Sequence, residues 1–135
     1  MNNVNDGIIT AGSNRNAATA SAIMLRLSPR KLNLLASFVR GMNVWDALLQ
    51  LDFSHKRAAV HVKKCIQSAL ANAENTIRDV DIDNLQVLRA TVGKARVLQR
   101  AVPRARGRSA RVKKYFSSLY ITVGELDKIS SSKGK

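Results

Sequence analysis

The sequence predicts an α+β fold in which three helices pack on a small antiparallel sheet and a long basic β-hairpin extends from that sheet. Apolar residues recur at helical spacing between residues 28 and 75. Two later segments, LQVLRATV (85–92) and SSLYITV (117–123), alternate and are rich in β-branched residues, as strands are. Residues 89–114, which begin within the first of these strands and end before the second, hold ten basic side chains and no acidic one.

Length and composition allow one domain. A chain of 135 residues can form one modest core but not two. With 45% hydrophobic but only 4% aromatic residues, that core must be aliphatic. Residues 1–21 are rich in Asn, Ala, Ser and Thr and are predicted to be a disordered tail. Residues 129–135, ISSSKGK, are predicted to be a second disordered tail with positive charge. Residues 22–128 are therefore predicted to form the single domain.

The first two helices have recognisable start signals. Ser28 before Pro29 predicts a helix with a hydroxyl cap and proline at its first position, and Gly41 predicts its end. Asn43 predicts the start of a short second helix, with Asp46 three residues on as its capping partner.

Ser54 predicts the start of a third helix that runs to about Asn75. Small residues fill the segment SALANA (68–73), which would allow another backbone to approach closely. The predicted buried stripe of this helix consists of Ala58, Val62, Cys65, Ile66, Ala69 and Ala73.

The basic segment is predicted to be the distal part of one long hairpin. Pro103 and Gly107 lie near the middle of the stretch between the two strands, so the hairpin should extend over about residues 92–112. Its distal part carries too many Arg and Lys side chains to pack on the body. On an extended strand, Arg104, Arg106 and Arg108 would point to one side and could meet a row of phosphates. A merely solvated loop is the alternative, but such a loop would gain nothing from its charge density.

The charge indicates a polyanionic partner. The chain has 23 Lys and Arg against nine acidic residues, a net charge of +14. Such a charge favours phosphates, in nucleic acid or on a lipid surface. Tyr115 and Phe116 are the only aromatic residues near the hairpin, too few for a base-stacking platform. Recognition of the backbone and shape of folded RNA is therefore the favoured mechanism.

No catalytic, cofactor or metal site is predicted, and the chain is not expected to be an enzyme. His61 and Cys65 are four residues apart and could bind a metal, but a buried thiol beside a surface imidazole is the simpler interpretation. Trp45 is expected in the core rather than in a surface contact. The lone cysteine fits a reducing compartment. The sequence has no apolar run of about 18 residues, as a membrane span needs, and its start lacks the pattern of a secretory signal. A cytoplasmic protein without a membrane partner is therefore predicted.

Three segments together resemble the bacterial large-subunit ribosomal protein number twenty-two family. LSPRKLNLLASFVRG (27–41) is similar to the first helix of the family, and RAAVHVKKCIQSALANAENT (57–76) to its long helix. PRARGRSARVKK (103–114) is similar to its hairpin tip and returning strand. The resemblance covers about residues 22–125, and the three segments occur in the order and at the spacing of the family.

The resemblance implies a function. It implies a structural constituent of the large ribosomal subunit that binds 23S rRNA across several of its domains and supports early assembly. The hairpin would line the nascent-peptide exit tunnel, near large-subunit protein four and other neighbouring proteins, with Leu98, Gln99 and Arg100 near the tunnel constriction. The cytoplasmic ribosome would be its location, the nascent polypeptide a further partner, and no homo-oligomer is expected.

The residues expected to contact RNA combine the exposed cations of the hairpin with matching positions on the helices. They are Lys31, Arg40, Lys63, Lys64, Arg89, Lys94, Arg96, Arg100, Arg104, Arg106, Arg108, Arg111, Lys113 and Lys114.

Two other functions are compatible with the residues. An architectural DNA-binding protein could use the basic hairpin as an arm, with Pro103 as the intercalating residue. An enzyme acting on nucleic acid could use His61.

Overall fold

The computed structural model describes residues 17–77 and 81–125. It confirms the predicted fold class: three helices pack against a three-stranded antiparallel sheet, and two of the strands continue into a long hairpin. Short 3-10 turns precede β2 and join β2 to β3. In chain order the main elements are β1 (Ala17–Leu25), α1 (Pro29–Val39), α2 (Val44–Asp52), α3 (Arg57–Thr76), β2 (Leu85–Pro103) and β3 (Ser109–Glu125).

The sheet has the order β1–β3–β2, so β3 lies in the centre. Alternate residues of β3, namely Leu119, Ile121 and Val123, are fully buried beneath the helices. We call this the helix-side face of the sheet and the opposite one its outer face. The core is aliphatic, as the composition predicts, because Leu, Ile, Val and Ala supply its buried side chains together with Cys65.

The first helix begins and ends at the predicted residues, but the predicted hydroxyl cap is wrong, because the Ser28 side chain makes no capping hydrogen bond. Ser28 is the residue before the helix and Pro29 occupies its first turn. The chain leaves α1 through Gly41, whose φ of +74° lies in the left-handed region that glycine adopts without strain. The Gly41 amide donates to the Val87 carbonyl (2.8 Å), and the Val87 amide donates to the Met42 carbonyl (2.9 Å). These two bonds fasten the α1–α2 connection to β2.

Asn43 caps the second helix, as predicted, but the expected partner Asp46 makes no hydrogen bond to it. Its side-chain oxygen accepts a hydrogen bond from the Trp45 amide (2.9 Å), while its Nδ2 donates to the Asp83 carbonyl (2.7 Å). One side chain therefore caps α2 and holds the segment that leads into β2.

The predicted start of the third helix at Ser54 is wrong. The Ser54 amide still donates to the Leu51 carbonyl (3.2 Å), so Ser54 completes the exit from α2. The helix begins at Arg57, after Lys56. The predicted stripe is confirmed, since all six of its residues are buried. In the described part of the chain, no helix is long and apolar enough to cross a membrane.

The first strand was not predicted, and it corrects the start of the folded domain. Residues 17–21 belong to β1 rather than to the predicted tail of residues 1–21. Ala18 and Ala20 are small enough to pack against α3, where Cys65 Sγ approaches the Ala20 carbonyl (3.7 Å). Asn72 Nδ2 donates to the Thr19 carbonyl (3.0 Å). The small residues of α3 thus receive the backbone of β1, while residues 1–16 and the predicted basic tail of residues 129–135 lie outside the described residues.

The hairpin is paired along its whole length, from Leu85–Glu125 to Pro103–Ser109. Pairing therefore extends nearly to the tip. The register shifts twice, between Val87 and Arg89 and between Lys94 and Val97. Both shifts place extra residues on β2, so β3 keeps its alternation without interruption.

Candidate nucleic-acid interface

The candidate interface is the arm, which we define as residues 95–116, the part of the hairpin beyond the pair Lys94–Ser117. None of its residues is buried, so the arm is not part of the core. All ten basic side chains of residues 89–114 are exposed. Within residues 17–77 and 81–125, the one ion pair joins Lys63 to Asp52 (2.5 Å), on the body of the protein. The cations of the hairpin therefore face solvent without a carboxylate partner among the described residues.

The arm carries cations on both of its faces. Because directly paired residues share a face, Gln99 with Lys113 and Ala101 with Arg111 continue the helix-side face. Lys114, paired with Leu98, lies on the outer face. Positive charge on both sides suits an arm that has anions around it rather than one that rests on a single surface.

The outer face of the arm is also partly apolar. Leu98, Val102, Ala110 and Val112 are half-buried there, although none of the helices α1 to α3 covers them. Their cross-strand contacts shield one another from water and support the pairing of the strands. Arg100, opposite Val112, adds a charge to this face.

The predicted row of arginines at the tip is wrong. Arg104, Arg106 and Arg108 do not lie on one extended strand but surround the turn that joins β2 to β3. The Arg104 amide donates to the Arg108 carbonyl (2.7 Å), which places these two residues opposite each other. Arg106 has a φ of 57° and Gly107 a φ of +67°, so the backbone reverses between them. Three like charges within one turn repel each other, and counter-anions at the tip would relieve that repulsion.

The residues predicted for the tunnel constriction lie midway along the arm on β2. Gln99 is exposed on the helix-side face, whereas Leu98 and Arg100 lie on the outer face. The three side chains therefore cannot all line the same wall, because successive residues of a strand point to opposite sides.

The helical cations predicted to contact RNA differ in their surroundings. Lys31 and Lys64 are exposed. Arg40 Nε donates to the Ala90 carbonyl (2.8 Å) and its Nη2 donates to Asn33 Oδ1 (3.1 Å), so this side chain ties the end of α1 to β2. Lys63 is bound to Asp52.

The predicted RNA contact Arg89 belongs to the strand β2 rather than to a helix. It is exposed on the outer face of the sheet, opposite Thr122.

The expectation that Trp45 lies in the core is wrong, because it is 49% exposed. Trp45 and Leu49 of α2, with Phe53 directly after it, recur every fourth residue on the solvent side, away from buried Val44 and Leu51. The sequence contained the signal: three large apolar residues share one stripe, while other residues already supply the inward face of the helix.

Cys65 is a buried residue of the core rather than a candidate ligand. Burial raises the pKa of its thiol from 9.0 to about 11, because the thiolate would lose its solvation in the core. Its Sγ contacts the Ala20 carbonyl. Among residues 17–77 and 81–125, no three His, Cys, Asp or Glu side chains converge to hold a metal ion.

Comparison with known proteins identifies the family of the chain. A sequence model described as ribosomal protein L22p/L17e matches residues 20–124. The large ribosomal subunit protein uL22 of Orientia tsutsugamushi is 58% identical over 112 residues, which cover 83% of this chain and 96% of that relative. The proteins of the same name from Rickettsia canadensis and Rickettsia akari are 60% and 59% identical, over 83% of this chain and 93% of each relative. The chain belongs to the ribosomal protein L22 family.

Proposed function

We propose that the chain is a structural constituent of the large ribosomal subunit, binds 23S rRNA across several of its domains and supports early assembly of the subunit. One observation carries the proposal: the ten basic side chains of residues 89–114 are all exposed, on both faces of the hairpin and at its tip, in a segment that contains no acidic residue. Family membership supports the same function, since the relatives are large-subunit proteins by name.

The geometry suggests how the arm binds. RNA helices repel each other through their phosphates, and an inserted polycation replaces the counterions that would otherwise screen them. An arm with cations on both faces and at its tip can contact RNA segments on either side, as binding to several rRNA domains requires. The described residues offer the arm no neutralising carboxylates, so the RNA supplies the opposite charge.

The arm also serves, in this proposal, as part of the wall of the nascent-peptide exit tunnel, near large-subunit protein four. Gln99 and the pair Leu98 and Arg100 face opposite ways. One of these two sets therefore faces the tunnel and the nascent polypeptide, and the other faces the structures behind the wall. A photoreactive amino acid at position 99 and another at position 98 distinguish the two sides: only one should cross-link to a stalled nascent chain. Cross-linking from neither position would contradict a place in the tunnel wall.

The salt dependence of RNA binding tests the interface. We expect Arg104→Ala with Arg108→Ala to weaken binding to 23S rRNA and to reduce the slope of log affinity against log salt by about 0.7–0.9 per lost phosphate contact. The matched control is Lys56→Ala with Arg57→Ala, two exposed cations outside the proposed set. An unchanged slope in the arm variant would show that these arginines contact no phosphate.

The same binding assay distinguishes rRNA binding from the rival function in DNA binding. An architectural DNA-binding protein would prefer bent duplex DNA to 23S rRNA fragments at equal salt, and Pro103→Ala would reduce that preference. Preference for the rRNA fragments supports the ribosomal function.

A further inference from the structure

An open groove lies where the start of α1 meets the root of the arm. Its volume is about 510 Å³, and it is lined by Ser28, Pro29, Arg30, Lys94 and Tyr115. This is within the range of about 300–1,000 Å³ that small-molecule sites occupy. The lining contains one aromatic ring and two cations but no carboxylate.

The alternation of β3 explains why Tyr115 reaches this groove. Ser117 is fully buried on the helix-side face, and its hydroxyl donates to the Leu27 carbonyl (3.0 Å). Tyr115 is two residues away on the same strand and therefore lies on the same face, beside the chain segment that enters α1. The core ends at Ser117, so the Tyr115 ring is left uncovered and is 39% exposed.

The two cations come from different elements. Arg30 lies in the first turn of α1, and Lys94 lies on β2, paired with Ser117. Both side chains are exposed. Lys94 precedes the register shift between Lys94 and Val97, at which the arm leaves the body. The start of α1 and the strand β2 thus both line the groove, and each contributes one positive charge.

We propose that this groove binds one unstacked nucleotide of folded RNA. The base lies against the Tyr115 ring, and Arg30 and Lys94 contact the phosphates on its two sides. Single-stranded loops and bulges of RNA offer such bases, which stack on aromatic side chains. The proposal rests on the proposed function, because it assigns a particular contact within the RNA interface. It also gives Tyr115 a different role from the cations of the arm, which contact the RNA backbone alone.

The test compares two tyrosines of the same strand. Tyr115→Leu keeps an apolar side chain but removes the aromatic face, whereas Tyr115→Phe keeps that face. The matched control is Tyr120→Leu, because Tyr120 is 43% exposed but lies on the outer face, away from the groove. Binding to 23S rRNA is measured over a series of salt concentrations, and thermal unfolding confirms that each variant is folded.

We expect Tyr115→Leu to weaken binding about 5- to 100-fold without changing the salt slope, since stacking releases no counterions. Tyr115→Phe and Tyr120→Leu should bind as the unaltered protein does. Arg30→Ala and Lys94→Ala should each reduce the slope by about 0.7–0.9.

Two results overturn the inference while leaving the proposed function intact. One is unaltered affinity of Tyr115→Leu when the unaltered protein binds rRNA with a steep salt dependence. The other is an equal loss in Tyr115→Leu and Tyr120→Leu. Failure of the unaltered protein to bind rRNA in a salt-dependent manner would instead overturn the proposed function.

Discussion

The same two strands, β2 and β3, form both the body and the arm, and they are stabilised differently in each. In the body, alternate residues such as Val87 and Ile121 are fully buried beneath the helices. Beyond the pair Lys94–Ser117, the strands stay paired but no residue of the arm is buried. Hydrophobic burial therefore fixes the body, whereas backbone pairing and half-buried cross-strand contacts hold the arm together.

The largest expected difference between the two regions is in amide exchange of the free protein. Body amides at residues 85–92 and 119–125 should exchange only on global unfolding, which requires about 5 kcal/mol or more. Arm amides at residues 97–112 should open locally and exchange at least about tenfold faster, because no residue of the arm is buried in the core. Hydrogen–deuterium exchange with mass spectrometry measures both. Equal protection in body and arm would break the comparison, and added rRNA should slow exchange in the arm.

Truncation of buried and half-buried side chains gives the next effect. Ile121→Ala removes a fully buried side chain from the centre of the sheet and should lower the free energy of unfolding by about 2–5 kcal/mol. Val112→Ala, the matched truncation on β3 in the arm, should change it by about 0.5 kcal/mol or less. Urea denaturation measures both values. Similar losses would mean that the arm contributes to the stability of the body.

The pH dependence of stability should reflect the buried thiol of the body. The pKa of Cys65 is about 11 in the folded protein and 9.0 ordinarily. Below pH 9 the thiol is protonated in both states; between pH 9 and 11 the unfolded chain loses its proton first. Stability should therefore fall as the pH rises through this window, by at most about 3 kcal/mol. The matched control is Cys65→Ala, which should show a smaller fall; identical pH profiles would show that the folded thiol titrates normally.

The smallest expected effect concerns Arg40, a cation that belongs to the body rather than to the arm. Arg40→Met removes the hydrogen bond from Nε to the Ala90 carbonyl and should lower the free energy of unfolding by about 1 kcal/mol. Arg40→Lys keeps the charge but not the planar donor group, so it should restore little of that loss. Thermal unfolding is the measurement. Unaltered stability in both variants, with a reduced salt slope for rRNA binding, would make Arg40 an RNA contact instead.

Local signals in the sequence were enough to predict the helices and the hairpin. Asn43 caps its own helix, and Pro29 and Gly41 mark the ends of α1, because these residues act through their own backbone neighbourhood. The strand alternation and the cationic segment likewise predicted a hairpin whose basic residues are exposed. Exposure follows directly from charge, since unpaired Arg and Lys are rarely buried.

Features that depend on tertiary contacts were not predictable. The strand β1 has few residues that favour strands, and it forms because Ala18 and Ala20 fit against the small residues of α3. Trp45 is exposed because other residues already fill the inward face of α2. The groove at Tyr115 brings together residues 28–30, 94 and 115, which no sequence spacing connects.

The register shift between Lys94 and Val97 determines where β2 can lose a residue without disturbing the arm. Two residues of β2, Ala95 and Arg96, oppose Phe116 alone between these pairs, so β2 has one residue more than regular pairing requires. Loss of one of these two residues would leave every pair of the arm intact, from Val97–Tyr115 to Pro103–Ser109. It would change only the angle at which the arm leaves the body. Loss of one residue farther out, for example at Ala101, would turn the following side chains of β2 to the wrong side. A single deletion at this register shift can therefore change the direction of the arm while every side chain of the arm keeps its face.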